Sequence, residues 1–228
     1  MIWDWGYTFE ILPTMALASL VTLQITVLGF AVAAALGLVW AVIGLMEIPG
    51  VTFAVRLAIE FVRSTPLLIQ LFAVYYFLPN FGILLPAFLT GVLVLGIHYS
   101  AYCAEVYRAG FANVPKGQWE AARALNLGVG RTLRRIVIPQ AIPPVILPLG
   151  NYFVTMFKET PVLLAITIIE LVATARIIGN DTFRYTEPMT LAGLFFLLLS
   201  LVAAATMRVL NARFSLQNRM AGPSQRAR

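Results

Sequence analysis

The sequence predicts an all-α integral membrane protein with five transmembrane helices in a single domain, residues 1–228. Hydrophobic residue types make up 60% of the chain and charged types only 11%, against about 25% charged residues in an ordinary soluble domain. The mean hydropathy is +0.86. A water-soluble fold of 228 residues has too little interior to bury so much apolar surface. The composition therefore argues against a water-soluble enzyme and against a disordered regulator.

Charge-free stretches of the sequence indicate where the spans lie. About 20 apolar residues are enough for a helix to cross a bilayer, and the uncharged run between Glu10 and Glu47 predicts one long first span. The uncharged run 64–104 is long enough for two spans, and turn-forming residues around Gly82 divide it. The predicted spans cover residues 13–46, 55–78, 86–104, 142–169 and 188–210.

The distribution of basic residues predicts the orientation of the spans, because lysine and arginine favour cytoplasmic loops. Residues 105–135 carry six basic and two acidic side chains, and the segment after Glu187 carries five arginines and no acid. We therefore expect the N-terminus outside, a long cytoplasmic loop at about 109–139 and a cytoplasmic tail at 211–228. This topology explains the net charge of +6, so nucleic acid is not an expected partner.

The rarity of metal-binding residues excludes several classes of site. Cys103 is the single cysteine and His98 the single histidine, so an internal disulfide, a cysteine-based zinc site and a multi-histidine metal site are impossible. The sequence also lacks the Gly-x-x-x-x-Gly-Lys-Ser/Thr phosphate loop. We therefore expect no metal, no cofactor and no ATP site in this chain.

The long loop is predicted to form a helix–turn–helix. Residues 118–125 favour a helix, and Asn126 follows at the position of a left-handed cap. A second short helix is expected from about Arg131, with Pro139 ending it. Trp119 and Leu125 are candidate apolar anchors for a partner's groove.

The sequence of this loop resembles the EAA loop of bacterial ABC importer permeases. That pattern is Glu-Ala-Ala, three residues, glycine, nine residues, isoleucine, one residue and Leu-Pro. The matching positions are Glu120, Ala121, Ala122, Ile136 and Pro139. Asn126 replaces the glycine and Ile138 the leucine. Asparagine is the best substitute for glycine at a left-handed cap, so the turn is expected to be retained.

Four further segments resemble one subfamily of these permeases, which imports histidine, glutamine, arginine and opines. They are residues 60–72, 102–110, 114–118 and 157–160. The last of them usually has aspartate where Glu159 stands. Together with the loop, the matches run from about residue 12 to residue 212.

The resemblance implies the type I ABC importer (MetI-like) fold in a bacterial inner membrane. It implies a second permease subunit, identical or paralogous, and a dimer of cytosolic ATPases that binds ATP-Mg and grips the long loop. It also implies an extracytoplasmic binding protein that delivers a polar amino acid or similar small zwitterion. The implied coupling residues are Glu120, Ala121, Ala122, Asn126, Gly128, Ile136 and Pro139. The chain itself would be a transport subunit surrounded by membrane lipid, not an enzyme.

Four polar residues of the fourth predicted span share one helix face, because their spacing is 0, 4, 7 and 8 residues. They are Asn151, Thr155, Lys158 and Glu159. Charged groups within a span are costly and generally face protein or a water-filled path. The stripe is therefore a candidate substrate path, in which the two charges would each meet one end of a zwitterion. The alternatives are a structural ion pair with a neighbouring span and a position already at the outer interface.

Other polar side chains in the predicted spans have two interpretations. Gln24 and Gln70, with Thr22 and Thr26, either line the path or form hydrogen bonds between helices. His98 with Ser100 invites an intramembrane protease hypothesis, but no second catalytic partner or Gly-x-Ser-x-Gly context supports it. A packed core histidine is the favoured interpretation.

Two charge pairs stand near the cytoplasmic ends of the second and third predicted spans. Glu60 with Arg63 and Glu105 with Arg108 share the i, i+3 spacing of a helical ion pair. Each pair is either structural or part of a gate.

The competing hypothesis for the whole chain is a carrier or channel that works without an ATPase. The EAA-like loop discriminates between them, because a lone carrier has no ATPase to dock. The identity of the substrate and the choice between homodimer and heterodimer stay open at this level.

Overall fold

The computed structural model describes residues 3–46 and 48–220 and shows an all-helical chain. The helices are α1 (Trp5–Leu45), α2 (Val51–Ser64), α3 (Leu67–Phe72), α4 (Ala87–Ala112), α5 (Lys116–Ala124), α6 (Val129–Thr132), α7 (Ile138–Glu159), α8 (Leu171–Thr182) and α9 (Thr186–Met220). π-helical turns follow α3 at Ala73–Phe77 and α6 at Leu133–Val137, and 3₁₀ turns cover Leu78–Phe81 and Thr160–Ile166. Glu47 and residues 221–228 of the predicted tail lie outside the described residues.

Four helical stretches of the described residues are long and apolar enough to cross a membrane. They are Trp5–Leu45, Ala87–Ala112, Val129–Ile166 and Thr186–Arg213. A fifth candidate is the pair Val51–Ser64 and Leu67–Phe81, whose two halves meet at 105°. The all-α class with five candidate spans agrees with the sequence prediction.

The predicted second span, 55–78, thus contains a sharp bend between α2 and α3. Pro66 lacks a backbone N–H and disfavours helical geometry in the residue before it, and Thr65 is accordingly extended with φ of −103° and ψ of 135°. The charge-free run conceals this break, because proline carries no charge.

The helix that contains the first predicted span begins at Trp5, ahead of residue 13. The Asp4 carboxylate accepts a hydrogen bond from the Tyr7 N–H at 3.1 Å and so caps the new helix end. Pro13 lies inside the helix. With 41 residues, α1 is about 60 Å long and joins the two ends of the molecule.

Pro139 does not end the second loop helix, which corrects the sequence prediction. The chain stays helical from Val129 to Ile166. The wider π-helical turn at Leu133–Val137 directly precedes Pro139 and accommodates its ring, which in a regular α-helix clashes with the preceding turn.

α1 and α4 form the centre of the bundle and approach closely at small residues. A Cβ atom added to Gly37 would lie 2.6 Å from the Cβ of Cys103 and 2.8 Å from the Ser100 carbonyl oxygen, so only glycine fits. Buried side chains of α3, α7 and the Thr160–Ile166 turn complete this core. Small residues at such contacts are typical of helix packing in membranes.

The polar segment 170–187 contains the packed helix α8. Leu171 and Ala175 of α8 lie in a buried cluster with Met15 of α1 and Leu191 of α9. The Tyr7 hydroxyl also bonds the Thr182 hydroxyl at 2.8 Å. α8 is therefore part of the body of the fold.

An arginine joins the start of α1 to the start of α9 beside α8. Arg184 contacts the Asp4 carboxylate at 3.2 Å and the Glu187 carboxylate at 2.6 Å, and its guanidinium lies 4.4 Å from the centre of the Tyr7 ring. These contacts lower the pKa of Asp4, first through its hydrogen bond from the Tyr7 N–H and then through Arg184. They raise the pKa of Arg184, chiefly through Glu187. We call this group the Arg184 cluster.

Candidate functional site

The long loop folds as a helix, a tight turn and a second helix. α5 ends in a Schellman motif, in which the Asn126 N–H donates to the Arg123 carbonyl at 2.9 Å and the Leu127 N–H to the Ala122 carbonyl at 3.0 Å. Asn126 adopts the left-handed conformation with φ of 50°, as expected from its position in the sequence. Gly128 then caps α6.

One side of this loop packs on the body of the protein. Ala122 is buried, and Trp119 packs against a cluster that includes Ala41 and Phe111. Gln140 of α7 donates to the Gln118 side chain at 3.3 Å and to the Ile136 carbonyl at 2.9 Å. Trp119 therefore fixes the loop to its own chain, and its role as an anchor for a partner stays a prediction.

The other side of the loop is exposed. Glu120, Ala121 and Pro139 are accessible, and Ile136 is half-buried. Leu125 is 71% exposed and Val129 62%. Large apolar side chains this exposed on a polar loop favour a protein contact. Val129 is absent from the sequence-based set because the EAA pattern does not specify its position.

The polar stripe of α7 is divided between two environments. Asn151, Thr155 and Lys158 are exposed, and the Thr155 hydroxyl bonds the Asn151 carbonyl at 2.9 Å. Lys158 forms no hydrogen bond or ion pair with a described residue. Glu159 is half-buried, and its Oε2 atom is buried without a hydrogen-bond partner among the described residues. Lys158 and Glu159 are therefore not a structural ion pair with each other.

Glu159 borders a cluster of aromatic rings that sequence analysis did not identify. His98, Tyr99 and Tyr102 of α4 and Tyr152 of α7 have ring centres 5.5 to 6.2 Å apart. The Glu159 carboxylate lies near the Tyr99 phenol. We call these four rings the aromatic cluster. No single span reveals it, because its members come from two helices.

Arg63 contacts the aromatic cluster at Tyr102. Its guanidinium lies 5.4 Å from the centre of the Tyr102 ring, within cation–π distance. The predicted pair of Arg63 with Glu60 has its nearest atoms 4.0 Å apart and is largely exposed. The other predicted pair, Glu105 with Arg108, is present at 2.6 Å. A cationic and an anionic side chain thus flank one aromatic cluster.

Gln70 is a structural clamp at the break in the second span. Its Nε2 donates to the Val62 carbonyl at 2.8 Å, the Thr65 carbonyl at 3.2 Å and the Thr65 hydroxyl at 2.6 Å. Its Oε1 lies 3.2 Å from Nδ1 of His98, so Nδ1 carries the hydrogen. The last carbonyls of a helix lack intrahelical partners, and Gln70 satisfies one of them here. All its polar atoms are engaged, which disfavours Gln70 as a ligand of the substrate.

The polar residues of the first span have different environments. Thr22 and Thr26 are fully buried, and Thr22 accepts a hydrogen bond from the Leu171 N–H at 3.3 Å. Gln24 is exposed and forms no hydrogen bond with a described residue. The two threonines are therefore packing residues, and only Gln24 faces outward.

Glu170 is a buried carboxylate that sequence analysis did not single out. It is 0% exposed, accepts the Ala173 N–H at 2.8 Å and lies 3.5 Å from the Thr160 hydroxyl. The acid caps α8 and joins it to the end of the fourth span. Burial raises its pKa, against the opposing effect of these hydrogen bonds.

The geometry offers no hydrolytic site around His98. The Ser100 hydroxyl donates to the Ile97 carbonyl at 2.6 Å and lies 3.2 Å from Trp40 Nε1, whereas His98 bonds Gln70. Across the described residues, no group of three His, Cys, Asp or Glu side chains could hold a metal ion.

Comparisons with known proteins agree on one class of membrane protein. The family model described as "Binding-protein-dependent transport system inner membrane component" matches residues 36–216. The "Probable amino-acid ABC transporter permease protein y4tG" of Sinorhizobium fredii is 47% identical over 214 residues, 92% of this chain and 93% of that protein.

Two solved structures share the architecture. One, described as an amino acid ABC transporter with histidines, is 34% identical with a TM-score of 0.83 over 93% of this chain and 100% of that chain. The inward-facing MetNI methionine ABC transporter is 17% identical with a TM-score of 0.69, covers 86% of this chain and 93% of that chain, and shares the fold alone.

Proposed function

Since the chain belongs to the family of binding-protein-dependent transport system inner membrane components, we propose that its long loop docks a cytosolic ATPase through Glu120, Leu125 and Val129. The chain is the permease subunit of an amino-acid ABC importer and a multi-pass protein of the inner membrane. It has the type I importer fold and is a transport component, not an enzyme. ATPase and binding-protein partners follow from the family.

The observation that carries the docking proposal is the two-sided construction of the loop. Trp119 and Ala122 fix α5 to the bundle, while Leu125 and Val129 are left exposed beside Glu120. A loop fixed in this way transmits a rigid-body movement of the ATPase to α7, with which α6 is continuous. ATP-Mg, bound by the partner, supplies the energy for this movement.

The docking proposal is tested by purifying the tagged protein from its host in mild detergent and identifying its partners by mass spectrometry. We expect the wild type to recover an ATPase and Glu120→Lys to recover at least tenfold less. Asp181→Lys, which changes an exposed acid of α8, is the matched control and should leave recovery unchanged. Equal recovery with Glu120→Lys would contradict the proposed surface. Complete absence of an ATPase would favour a lone carrier.

The substrate path is proposed to run along the exposed face of α7 and past the aromatic cluster. Among the described residues, Lys158 has no ion-pair partner, and the buried Oε2 atom of Glu159 has no hydrogen-bond partner. Charges left unpaired within a span are expected where a water-filled path or a charged ligand compensates them. A zwitterionic amino acid supplies an ammonium for Glu159 and a carboxylate for Lys158 or Arg63. Glu159 is therefore the principal candidate for contact with the substrate.

Thiol labelling tests this path, because the single cysteine, Cys103, is buried and can be removed. In a Cys103→Ala background, we expect the Lys158→Cys variant to react with a hydrophilic maleimide. We expect Leu194→Cys, at an exposed apolar position of α9, to stay unlabelled in the membrane. A Lys158→Cys variant that is as unreactive as Leu194→Cys would contradict a water-filled path.

The finer composition of the importer is also proposed. Two permease subunits, identical or paralogous, form the pore, and two ATPase subunits bind their long loops. The binding protein docks at the end that carries the Arg184 cluster and delivers a polar amino acid or similar small zwitterion. The charge distribution supports this orientation, with the N-terminus outside.

A further inference from the structure

A cavity of about 440 Å³ opens towards the long-loop end of the bundle. It lies between the end of α1, the helix α2 and the end of α4. Its walls include Trp40, Arg56, Ile59, Glu60, Glu105 and Arg108. Its volume is within the range of about 300 to 1,000 Å³ that is usual for small-ligand sites.

The charges of this cavity are unequally satisfied. Arg108 is bound to Glu105 through two nitrogens, at 2.6 and 3.0 Å. Among the described residues, Glu60 has a 4.0 Å contact with Arg63 and accepts a 3.4 Å hydrogen bond from the Ser64 hydroxyl. Arg56 forms no hydrogen bond or ion pair with a described residue. Arg56 is exposed, and a guanidinium that has no partner among the described residues favours a phosphate or carboxylate ligand.

The helix α2, which carries Arg56 and Glu60, also has an apolar stripe. Phe53, Leu57 and Phe61 follow one another at i, i+4 and i+8 and are 70%, 60% and 66% exposed. Leu57 follows Arg56 and Phe61 follows Glu60, so about 100° of helix rotation separates each apolar side chain from a charged one. The indole of Trp40 lines the cavity, and indoles favour the membrane–water interface. α2 thus offers charged contacts and apolar surface side by side.

We propose that this cavity binds the zwitterionic headgroup of a phospholipid. The phosphodiester lies against Arg56, the ammonium against Glu60 and Glu105, and the acyl chains run along the stripe of Phe53, Leu57 and Phe61. A free amino acid presents the same pair of charges but has no use for the apolar stripe. The stripe therefore favours the lipid as the source of the zwitterion.

Native mass spectrometry of the purified importer complex tests the proposal. The probes are phosphatidylethanolamine, phosphatidylglycerol, which lacks the ammonium, and glycerophosphoethanolamine, which lacks the acyl chains. We expect the wild type to bind one phosphatidylethanolamine per permease subunit at least tenfold more tightly than the other two probes. Arg56→Gln should weaken this binding at least tenfold. Arg213→Gln, at an exposed arginine of α9 outside the cavity, should not.

A second variant separates the two charges of the headgroup. Glu60→Gln is expected to remove the preference for phosphatidylethanolamine over phosphatidylglycerol while phosphatidylglycerol binding persists. If Arg56→Gln does not fold, Arg56→Lys is expected to weaken binding severalfold, because it keeps the charge and loses the planar fork. Unchanged lipid binding in the Arg56 variants would overturn the proposal. Displacement of the lipid by millimolar free glutamine would overturn it in favour of a soluble zwitterion.

Discussion

The Gln70 carboxamide oxygen lies 3.2 Å from Nδ1 of His98 and connects the broken second span to the central helix α4. From its place in α3, the same side chain bonds two carbonyls at the end of α2 through its amide nitrogen. The 105° bend is therefore held by one residue whose donors and acceptor are all used.

Gln70→Leu is expected to destabilise the protein and to lower transport. Each lost hydrogen bond contributes about 1 kcal/mol, and the buried carbonyls that it leaves unpaired add to the cost. Thermal unfolding in detergent and uptake by proteoliposomes measure the two effects. Gln24→Leu is the matched control, because Gln24 is exposed and has no hydrogen-bond partner among the described residues. Equal stability of the two variants would argue against the clamp.

Glu170 is expected to make stability depend on pH. Burial raises its pKa above the ordinary value of 4.5, so the folded state binds its proton more tightly than the unfolded state does. The contribution of this group to stability is fully present below pH 4.5 and is lost as the pH rises through the raised pKa. Glu170→Gln should abolish this decline, whereas Glu10→Gln, at an exposed acid, should retain it. Unfolding midpoints measured from pH 4 upward test this prediction. The same decline in Glu170→Gln as in the wild type would contradict it.

Glu170 also caps α8, which gives a second and independent expectation. Glu170→Ala removes the acceptor of the Ala173 N–H and should cost about 1 kcal/mol for the cap alone. Glu170→Gln keeps an acceptor and should cost less. If the two variants unfold at the same temperature at pH 7, the cap contributes nothing.

Glu159→Gln is expected to lower amino-acid uptake at least tenfold and to leave recovery of the ATPase unchanged. The carboxylate borders the aromatic cluster, far along α7 from the long loop, so loss of its charge affects the path and not the docking. Uptake by proteoliposomes and co-purification give the two readings. Asp181→Asn, at an exposed acid, serves as the control. Normal uptake by Glu159→Gln would remove Glu159 from the substrate path.

Arg184→Gln is expected to lower the thermal stability of the end that carries the Arg184 cluster. The variant leaves Asp4 and Glu187 without their common cation and removes the contact with the Tyr7 ring. In the wild type, the interactions that lower the pKa of Asp4 stabilise the folded state above pH 3.8. This stabilisation is lost as the pH falls through the lowered pKa. High salt screens these charges, so it should lower the thermal stability of the wild type towards that of the variant. Arg176→Gln, at an exposed arginine of α8, should show no such loss.

Local chemistry explains which features the sequence predicts well. The Schellman turn at Asn126 depends on residues within six positions of one another, so the sequence is enough to predict it. The break at Pro66 is also local, because proline disfavours helical geometry in the residue before it. The inward packing of Trp119 depends on α1 and α4, which no pattern within the loop specifies.

The candidate substrate path depends even more on contacts that no local sequence pattern specifies. The stripe on α7 follows from helical spacing, but its partners do not. Arg63 pairs by spacing with Glu60, yet the fold turns it to Tyr102 on another helix. Gln70 is a polar residue of the kind that could bind substrate, but its hydrogen bonds are structural. Contacts between distant segments decide each of these roles.

Photo-crosslinking from the long loop tests the central claim most directly. A photoreactive amino acid in place of Leu125 should give an adduct with a cytosolic ATPase in intact cells. The same group in place of Phe183, which is 81% exposed next to the Arg184 cluster, should give none. An ATPase adduct from position 125 alone is the result that we predict. No adduct from position 125, or an ATPase adduct from position 183, would contradict both the docking surface and the orientation.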